Sequence, residues 1–211
     1  MAIWIVIPVK PFDEGKARLA GVLSPDARRR LNLDMFERTL RIVSIAQKTQ
    51  RLLVVSRSNE ALQIAAGMGA VVLPETASSD LNSALTQAAN ALIDTDASGV
   101  LSLSADLPLL EPTDLHLILD EEATDRRITI APDRERLGTN ALSITPPLAI
   151  PYRYGEDSFA AHQALARSTN LAIGYAETPG LAFDIDTPED LEAARSLGAI
   201  SGDTLVQRGP I

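Results

Sequence analysis

Ile3-Trp4-Ile5-Val6-Ile7-Pro8-Val9 is an apolar run of strand length, and Lys10-Pro11-Phe12-Asp13-Glu14-Gly15-Lys16-Ala17-Arg18-Leu19 follows it without a break. The run is continuously apolar rather than alternating. That is the pattern of a strand buried on both faces, as in a parallel sheet covered by helices. It has no basic leader and falls well short of the roughly 20 residues that span a bilayer. It reads as a core strand, and the cytoplasm is the expected compartment, with no membrane partner.

Similar short apolar runs recur at Leu52–Ser56, Val71–Leu73, Val100–Ser104, Ile128–Ala131 and Leu142–Ile144. Between the early ones lie longer amphipathic stretches. Pro25–Gln47 carries Leu31, Met35, Leu40 and Val43 at near-helical spacing, with Ser24 as N-cap and Pro25 at the first helical position. Asn59–Met68 and Leu81–Ile93 are further helices. Strand and helix alternate, so the fold class is α/β, with a mostly parallel central sheet flanked by helices. After about residue 125 Gly, Pro, Tyr and Arg gather between Ala131 and Gly155. A short helix over Asp157–Arg167 and an apolar run at Leu171–Tyr175 follow. Thr187-Pro188-Glu189-Asp190 then opens a last helix with Thr as N-cap, Pro in the first turn and an acid three residues on. One domain over 1–198 is expected, about 1–125 binding nucleotide and about 126–198 shaping an acceptor pocket. Residues 199–211 form a tail long enough to reach a second copy, so a homodimer stays open.

The chain has 211 residues, 45% of them hydrophobic, enough for a sizeable core. It contains no cysteine and only His116 and His162, which excludes disulfides, thiolate chemistry and a histidine-rich zinc site. A net charge of −9 argues against nucleic acid as a partner, because such binding draws on Lys and Arg to displace counterions.

Against that acidic background, Lys10, Lys16 and Arg18 are gathered directly after the first strand. Ligands of open parallel sheets bind outside the carboxyl ends of the strands, so these cations sit where a triphosphate would lie. They could oppose the charge of a leaving pyrophosphate. The spacing is not that of a P-loop, and it would equally suit a solvated basic loop. Asp106, in Ser104-Ala105-Asp106-Leu107-Pro108, stands at the end of another apolar run and could share Mg²⁺ with phosphate oxygens, or merely cap a helix starting near Pro112. Phe183-Asp184-Ile185-Asp186 places two acids on one face of an extended segment, with apolar residues on the other. Adjacent carboxylates repel unless a cation or a shared proton intervenes. Asp106, Asp184 and Asp186 therefore form a candidate Mg²⁺ site, although Asp186 could also serve as a simple cap.

The Pro-Val-Lys-x6-Arg-Leu opening, the Ala-Asp-Leu-Pro turn and the Phe-Asp-Ile-Asp-Thr-Pro-Glu-Asp-Leu segment together resemble nucleotidyltransferases of the molybdenum-cofactor guanylyltransferase type. Pro132-Asp133-Arg134-Glu135-Arg136-Leu137-Gly138-Thr139-Asn140-Ala141-Leu142 and Tyr154-Gly155-Glu156-Asp157-Ser158-Phe159-Ala160-Ala161-His162 narrow the likeness. They are similar to the phosphoenolpyruvate and 2-phospho-L-lactate guanylyltransferases of coenzyme F-420 biosynthesis. The resemblance runs from about Ile3 to Leu197.

It implies a single-domain, Rossmann-like (GT-A-like) nucleotidyltransferase fold. It further implies that Asp106, Asp184 and Asp186 hold Mg²⁺, that Thr139, Gly155 and Ser158 grip the acceptor, and that Asn82 lies near the base or ribose of GTP. Asn140 and His162 fall inside the matched motifs without a role. Many relatives have glycine before the Leu81-Asn82 pair where this chain has Ser79-Asp80. Asp80 could cap the following helix or accept hydrogen bonds from guanine N1–H and N2–H₂. The implied reaction transfers GMP from GTP to a phosphorylated carboxylic acid, with Lys10, Lys16 and Arg18 steadying the β- and γ-phosphates. The composition, rich in Arg and poor in Lys, favours phosphoenolpyruvate. A downstream transferase would consume the product. Alternatives are a nucleotidyltransferase acting on molybdopterin or a sugar phosphate, and a non-catalytic nucleotide sensor. A plain oxidoreductase lacks support, since no GxGxxG follows the first strand.

Overall fold

The computed structural model describes residues 2–46, 51–76, 80–119 and 126–200. Four strands, β1 (Ala2–Val9), β2 (Leu52–Ser56), β3 (Val71–Pro74) and β4 (Ala97–Leu103), form the parallel part of a seven-stranded sheet. Helices α1 (Pro25–Ala46), α2 (Asn59–Gly67) and α3 (Leu81–Leu92) connect them. Helix α4 (Pro112–Ile118) follows β4, and β5 (Arg127–Pro132) and β6 (Thr139–Thr145) come next. Helix α5 (Ser158–Ser168), β7 (Ala172–Tyr175), the single turn α6 (Pro179–Ala182) and α7 (Pro188–Ser196) complete the chain.

The strand order is β3-β2-β1-β4-β6-β5-β7. All neighbours are parallel except β6, which runs antiparallel to both β4 and β5. Ile5, Val6, Ile7, Val54, Val100 and Leu101 are wholly buried, as continuous apolarity requires of inner strands. Burial on both faces does not extend to the edges. β3 is an edge strand, and Val71 is 49% exposed. One core, including Ile5, Ile7, Val54, Phe36 and Leu40, packs α1, α2 and α4 on one face of the sheet. A second, including Val6, Val55, Leu85, Ala88, Ile130 and Phe159, packs α3 and α5 on the other.

The sequence-based bounds shift by small amounts. β4 begins at Ala97 rather than Val100, and β6 and β5 each extend beyond the apolar run that marked them. α5 starts at Ser158, not Asp157. Asp157 precedes it as N-cap in the left-handed region (φ 52) and makes no side-chain cap bond. The proposed division between two functional parts falls among residues 120–125, and the tail from 201 onward, with its reach to a second copy, likewise lies outside the described residues. Ala199 and Ile200 pack against the small core under α7.

Candidate functional site

The site lies at the carboxyl ends of the parallel strands. Pro8, Val9 and Lys10 end β1, Arg57 follows β2, Glu75 follows β3, and Ser104, Ala105 and Asp106 follow β4. All of them line one cleft of about 320 Å³, near the lower end of the range for small-molecule sites. Asp80, Leu81, Ala84 and Leu85 of α3 form one wall, and Lys16, Tyr154 and Asp186 complete it.

The basic loop is folded rather than loose. Two 3-10 turns, Phe12–Glu14 and Ala17–Gly21, shape it, and Asn32 of α1 donates to the Phe12 carbonyl at 2.7 Å. Lys16 sits between the turns in the left-handed region (φ 58), with its carbonyl accepting from Leu19 N–H. Its side chain is 7% exposed, and Nζ lies 2.5 Å from Asp106 Oδ2 and 3.2 Å from Asp186 Oδ1. Burial works against the ammonium, but Asp106 and Asp186 outweigh it, so its pKa is raised. Arg18, largely exposed, stands 3.5 Å from Asp186 Oδ2 and does not line the cleft. Lys10 lines the cleft and is exposed.

The acid segment 183–186 is anchored from three directions. Phe183 and Ile185 are buried, which turns Asp184 and Asp186 the other way. Ile185 N–H donates to the Asp106 carbonyl at 3.3 Å, joining the segment to the end of β4. Thr187 caps α7 in a capping box with Asp190, whose Oδ2 also accepts from Asp186 N–H at 3.1 Å. Arg134 pairs with Asp190 and lies 4.4 Å above the Phe183 ring. On the other side Asn140 Nδ2 donates to the carbonyls of Leu181 and Ala182 and reaches Asp184 Oδ1 at 3.4 Å. Burial first, then the charges of Asp106 and Asp186, push the Asp184 carboxyl up to about 6.

The three expected metal acids are thus electrostatic neighbours. As the side chains stand, however, no group of three or more Asp, Glu or His among the described residues surrounds a point that could hold an ion. The place between Asp106 and Asp186 is taken by the Lys16 ammonium.

Two of the three residues expected to grip the acceptor lie deeper, and the third, Gly155, is exposed. Thr139 and Ser158 are buried and bonded to each other, Ser158 Oγ donating to Thr139 Oγ1 at 3.3 Å. His162 is wholly buried, and its Nε2 accepts from Arg153 N–H at 3.0 Å. The ring proton therefore sits on Nδ1, which is 3.1 Å from Thr139 Oγ1 and donates to it. Burial pushes the His162 pKa down to about 4, so the ring is neutral. Gly155 occupies a turn at φ 128, a backbone conformation that L side chains rarely adopt.

Asn82 does not line the cleft. Its Oδ1 accepts from Tyr154 N–H at 2.7 Å and its Nδ2 donates to the Tyr154 carbonyl at 3.0 Å, so the carboxamide clamps a main chain. Asp80 caps α3, Oδ1 accepting from Asn82 and Ser83 N–H, and these bonds lower its pKa. It nonetheless lines the cleft.

Sequence reasoning passed over Arg57 and Ser102, and gave no individual role to Glu75 or to Tyr154, although Tyr154 opens one of the matched motifs. Arg57 directly follows an apolar strand, the signal that identified Lys10, and it pairs with Glu14 of the basic loop. Tyr154 Oη meets Ser102 Oγ at 2.6 Å, a pairing across distant segments that no local pattern announces. No helix among the described residues is long and apolar enough to cross a membrane.

A family model described as "Guanylyl transferase CofC like" matches residues 3–196. A phosphoenolpyruvate guanylyltransferase of Conexibacter woesei is 39% identical over 198 residues, covering 93% of this chain and 89% of that protein. A 3-phospho-D-glycerate guanylyltransferase of Colwellia psychrerythraea is 38% identical over 188 residues, covering 89% of each. Among solved structures, a nucleotidyl transferase from Methanothermobacter superposes with a TM-score of 0.67 at 17% identity, covering 93% of this chain and 97% of that one. That likeness concerns the fold.

Proposed function

The chain belongs to the CofC-like guanylyl transferase family, and from that premise we propose that it transfers GMP from GTP to phosphoenolpyruvate, releasing pyrophosphate, in the assembly of coenzyme F-420. The observation that carries the reading is the meeting of Lys10, Lys16 and Arg57 with Asp106 and Asp186 in one cleft at the strand ends. Such a site suits a polyphosphate and the cation that accompanies it.

An oxygen of the acceptor phosphate attacks the α-phosphorus in line. A new P–O bond forms as the bond from the α-phosphorus to the α,β-bridging oxygen breaks, and pyrophosphate departs with the electron pair. The attacking phosphate is already ionised near neutral pH, so no side chain need remove a proton. The protein's share is positioning and charge stabilisation. Lys10 and Lys16 steady the β- and γ-phosphates, with Arg57 added by its place in the cleft, while Arg18, outside the lining, meets the site through Asp186. Asp80 lines the cleft from the N-cap of α3 and would have only its remaining lone pairs to offer the guanine edge, and Asn82 holds the Tyr154 main chain.

Mg²⁺ is the expected cation. The donor set fits it: hard oxygens only, with Asp184 disfavoured as an anion by burial and by both other acids. Bound by Asp106, Asp184 and Asp186, it would neutralise phosphate charge and polarise the α-phosphorus. On the acceptor side, Thr139 would offer a hydroxyl whose acceptor lone pairs are already taken by His162 and Ser158. The Gly155 turn would bring main-chain N–H groups close to an anion.

The Colwellia relative favours a second reading, with 3-phospho-D-glycerate as acceptor. The deciding experiment is pyrophosphate release from GTP and Mg²⁺ with phosphoenolpyruvate, 2-phospho-L-lactate and 3-phospho-D-glycerate offered one at a time. Release with phosphoenolpyruvate alone supports the first reading, and release with 3-phospho-D-glycerate alone supports the second. Silence with all three from protein that binds GTP rejects guanylyl transfer to this class of acceptor. The diphosphodiester formed is reactive, so a transferase acting next on it is the expected functional partner.

A further inference from the structure

Lys16 and Lys10 line the same cleft but stand in different surroundings. The Lys16 ammonium bridges Asp106 and Asp186 at 2.5 Å and 3.2 Å, and its side chain is nearly enclosed. Lys10 is exposed and has no carboxylate partner among the described residues. Lys16 is also held at its root, by a left-handed backbone at φ 58 and by the turn that Leu19 N–H closes onto its carbonyl. Its four-carbon stem, by contrast, has rotatable bonds that would let the ammonium exchange one partner for another.

Mg²⁺ on these acids would need oxygens at about 2.0–2.1 Å, so it competes with the ammonium for Asp106 Oδ2 and Asp186 Oδ1. Two cations forced together on the same carboxylates would also repel strongly in a cleft of reduced dielectric. Phosphate oxygens of the nucleotide could take the ammonium from the acids without leaving it unpaired.

We propose that Lys16 is a displaceable internal counter-ion, holding the place between Asp106 and Asp186 until nucleotide phosphates draw it away and admit a divalent cation. The protein would then bind metal well only together with nucleotide. The inference rests on the acid cluster being the cation site of the proposed function. Its test requires neither GTP turnover nor an acceptor, so it can fail or succeed independently of guanylyl transfer.

The test is titration of the nucleotide-free protein with Mn²⁺, followed by electron paramagnetic resonance of the free ion. Lys16→Met should bind Mn²⁺ roughly tenfold or more tightly than the unaltered protein, a difference on the scale of one broken ion-pair network. Lys10→Met, which removes a charge from the same cleft without vacating the acids, should shift binding by less than about twofold. Adding Asp106→Asn to Lys16→Met should abolish the gain. A non-hydrolysable GTP analogue should tighten Mn²⁺ binding by the unaltered protein and narrow its gap from Lys16→Met. Lys16→Gln serves as a second variant, with thermal melting to establish that each variant is folded. Equal Mn²⁺ affinity of the unaltered protein and both folded Lys16 variants overturns the proposal. Equal shifts from Lys10→Met and Lys16→Met overturn it too, since they would reflect only the general field of the cleft.

Discussion

Asp184 and Asp186 flank Ile185, a wholly buried residue, and that alternation turns both carboxylates to the opposite face, where Asp186 lines the cleft and Asp184 does not. Their energetic roles differ. Asp184 is charged at a cost, because burial and two neighbouring acids oppose ionisation. Replacing it with Asn should therefore raise the melting temperature while lowering turnover by roughly 100-fold or more, the loss typical of a group that stabilises developing charge. Asp186→Asn should lower turnover to a similar degree. Steady-state pyrophosphate release and a thermal melt on each variant would check this, and near-normal turnover in either would remove that acid from the machinery. His162 makes a second prediction at this scale. Its folded pKa of about 4 lies below the unfolded value near 6.5. Its contribution is fully present above pH 6.5 and is lost as pH falls from there to about 4, by at most on the order of 3 kcal/mol. Urea unfolding across that range should show the decline, and His162→Gln should flatten it.

At the scale of elements, the basic loop and the acid segment are bound to one another by a core of their own. Leu19 and Leu23 of the loop pack with Leu31 and Met35 of α1 and with Phe183, Ile185, Leu191 and Ala194 around α7. The spacing of Lys16 from Asp186 is thus maintained by apolar contacts as well as by charge. Ile185→Ala should cost about 2–5 kcal/mol in urea unfolding, the usual cost of a large-to-small change in a core. It should also lower kcat in the folded protein, since it loosens both acids. Removing the cap with Thr187→Ala should cost about 1 kcal/mol by the same measurement. Asn82 ties α3 to the Tyr154 turn. Asn82→Ala should raise the acceptor KM while leaving GTP affinity nearly unchanged, and a fall in GTP affinity alone would return Asn82 to the nucleotide. How far these elements were legible in sequence depended on how local their signals are. The Thr187–Asp190 capping box and the Asp184/Asp186 alternation are complete within a few residues and could be read directly. The locks that Asn140 and Arg134 provide could not. Each joins segments dozens of positions apart, and Asn140 is one of several polar residues in its strand with no mark of its role.

Across the whole molecule, an acidic chain concentrates cations at one mouth of its sheet. Lys10 and Arg18 are exposed there, so their attraction for a triphosphate is open to screening. The KM for GTP should rise with added salt more steeply than the KM for the acceptor, whose expected side-chain partners Thr139 and Ser158 are buried and uncharged; parallel salt series of initial rates would check it. By itself, the sequence determined which runs are core strands, where helices start, that cations follow β1 and that two acids share a face. Each of these follows from periodicity, capping and charge within a short window. Only the tertiary structure decided that β6 runs antiparallel, since strands buried on both faces look alike in either direction. It also put β3 at an edge, turned Asn82 onto a main chain, brought Arg57 into the cleft and set the Lys16 ammonium between Asp106 and Asp186. Those outcomes depend on which distant segments pack together, and that is settled by burial of the whole set of apolar faces at once, not by any pattern along the chain.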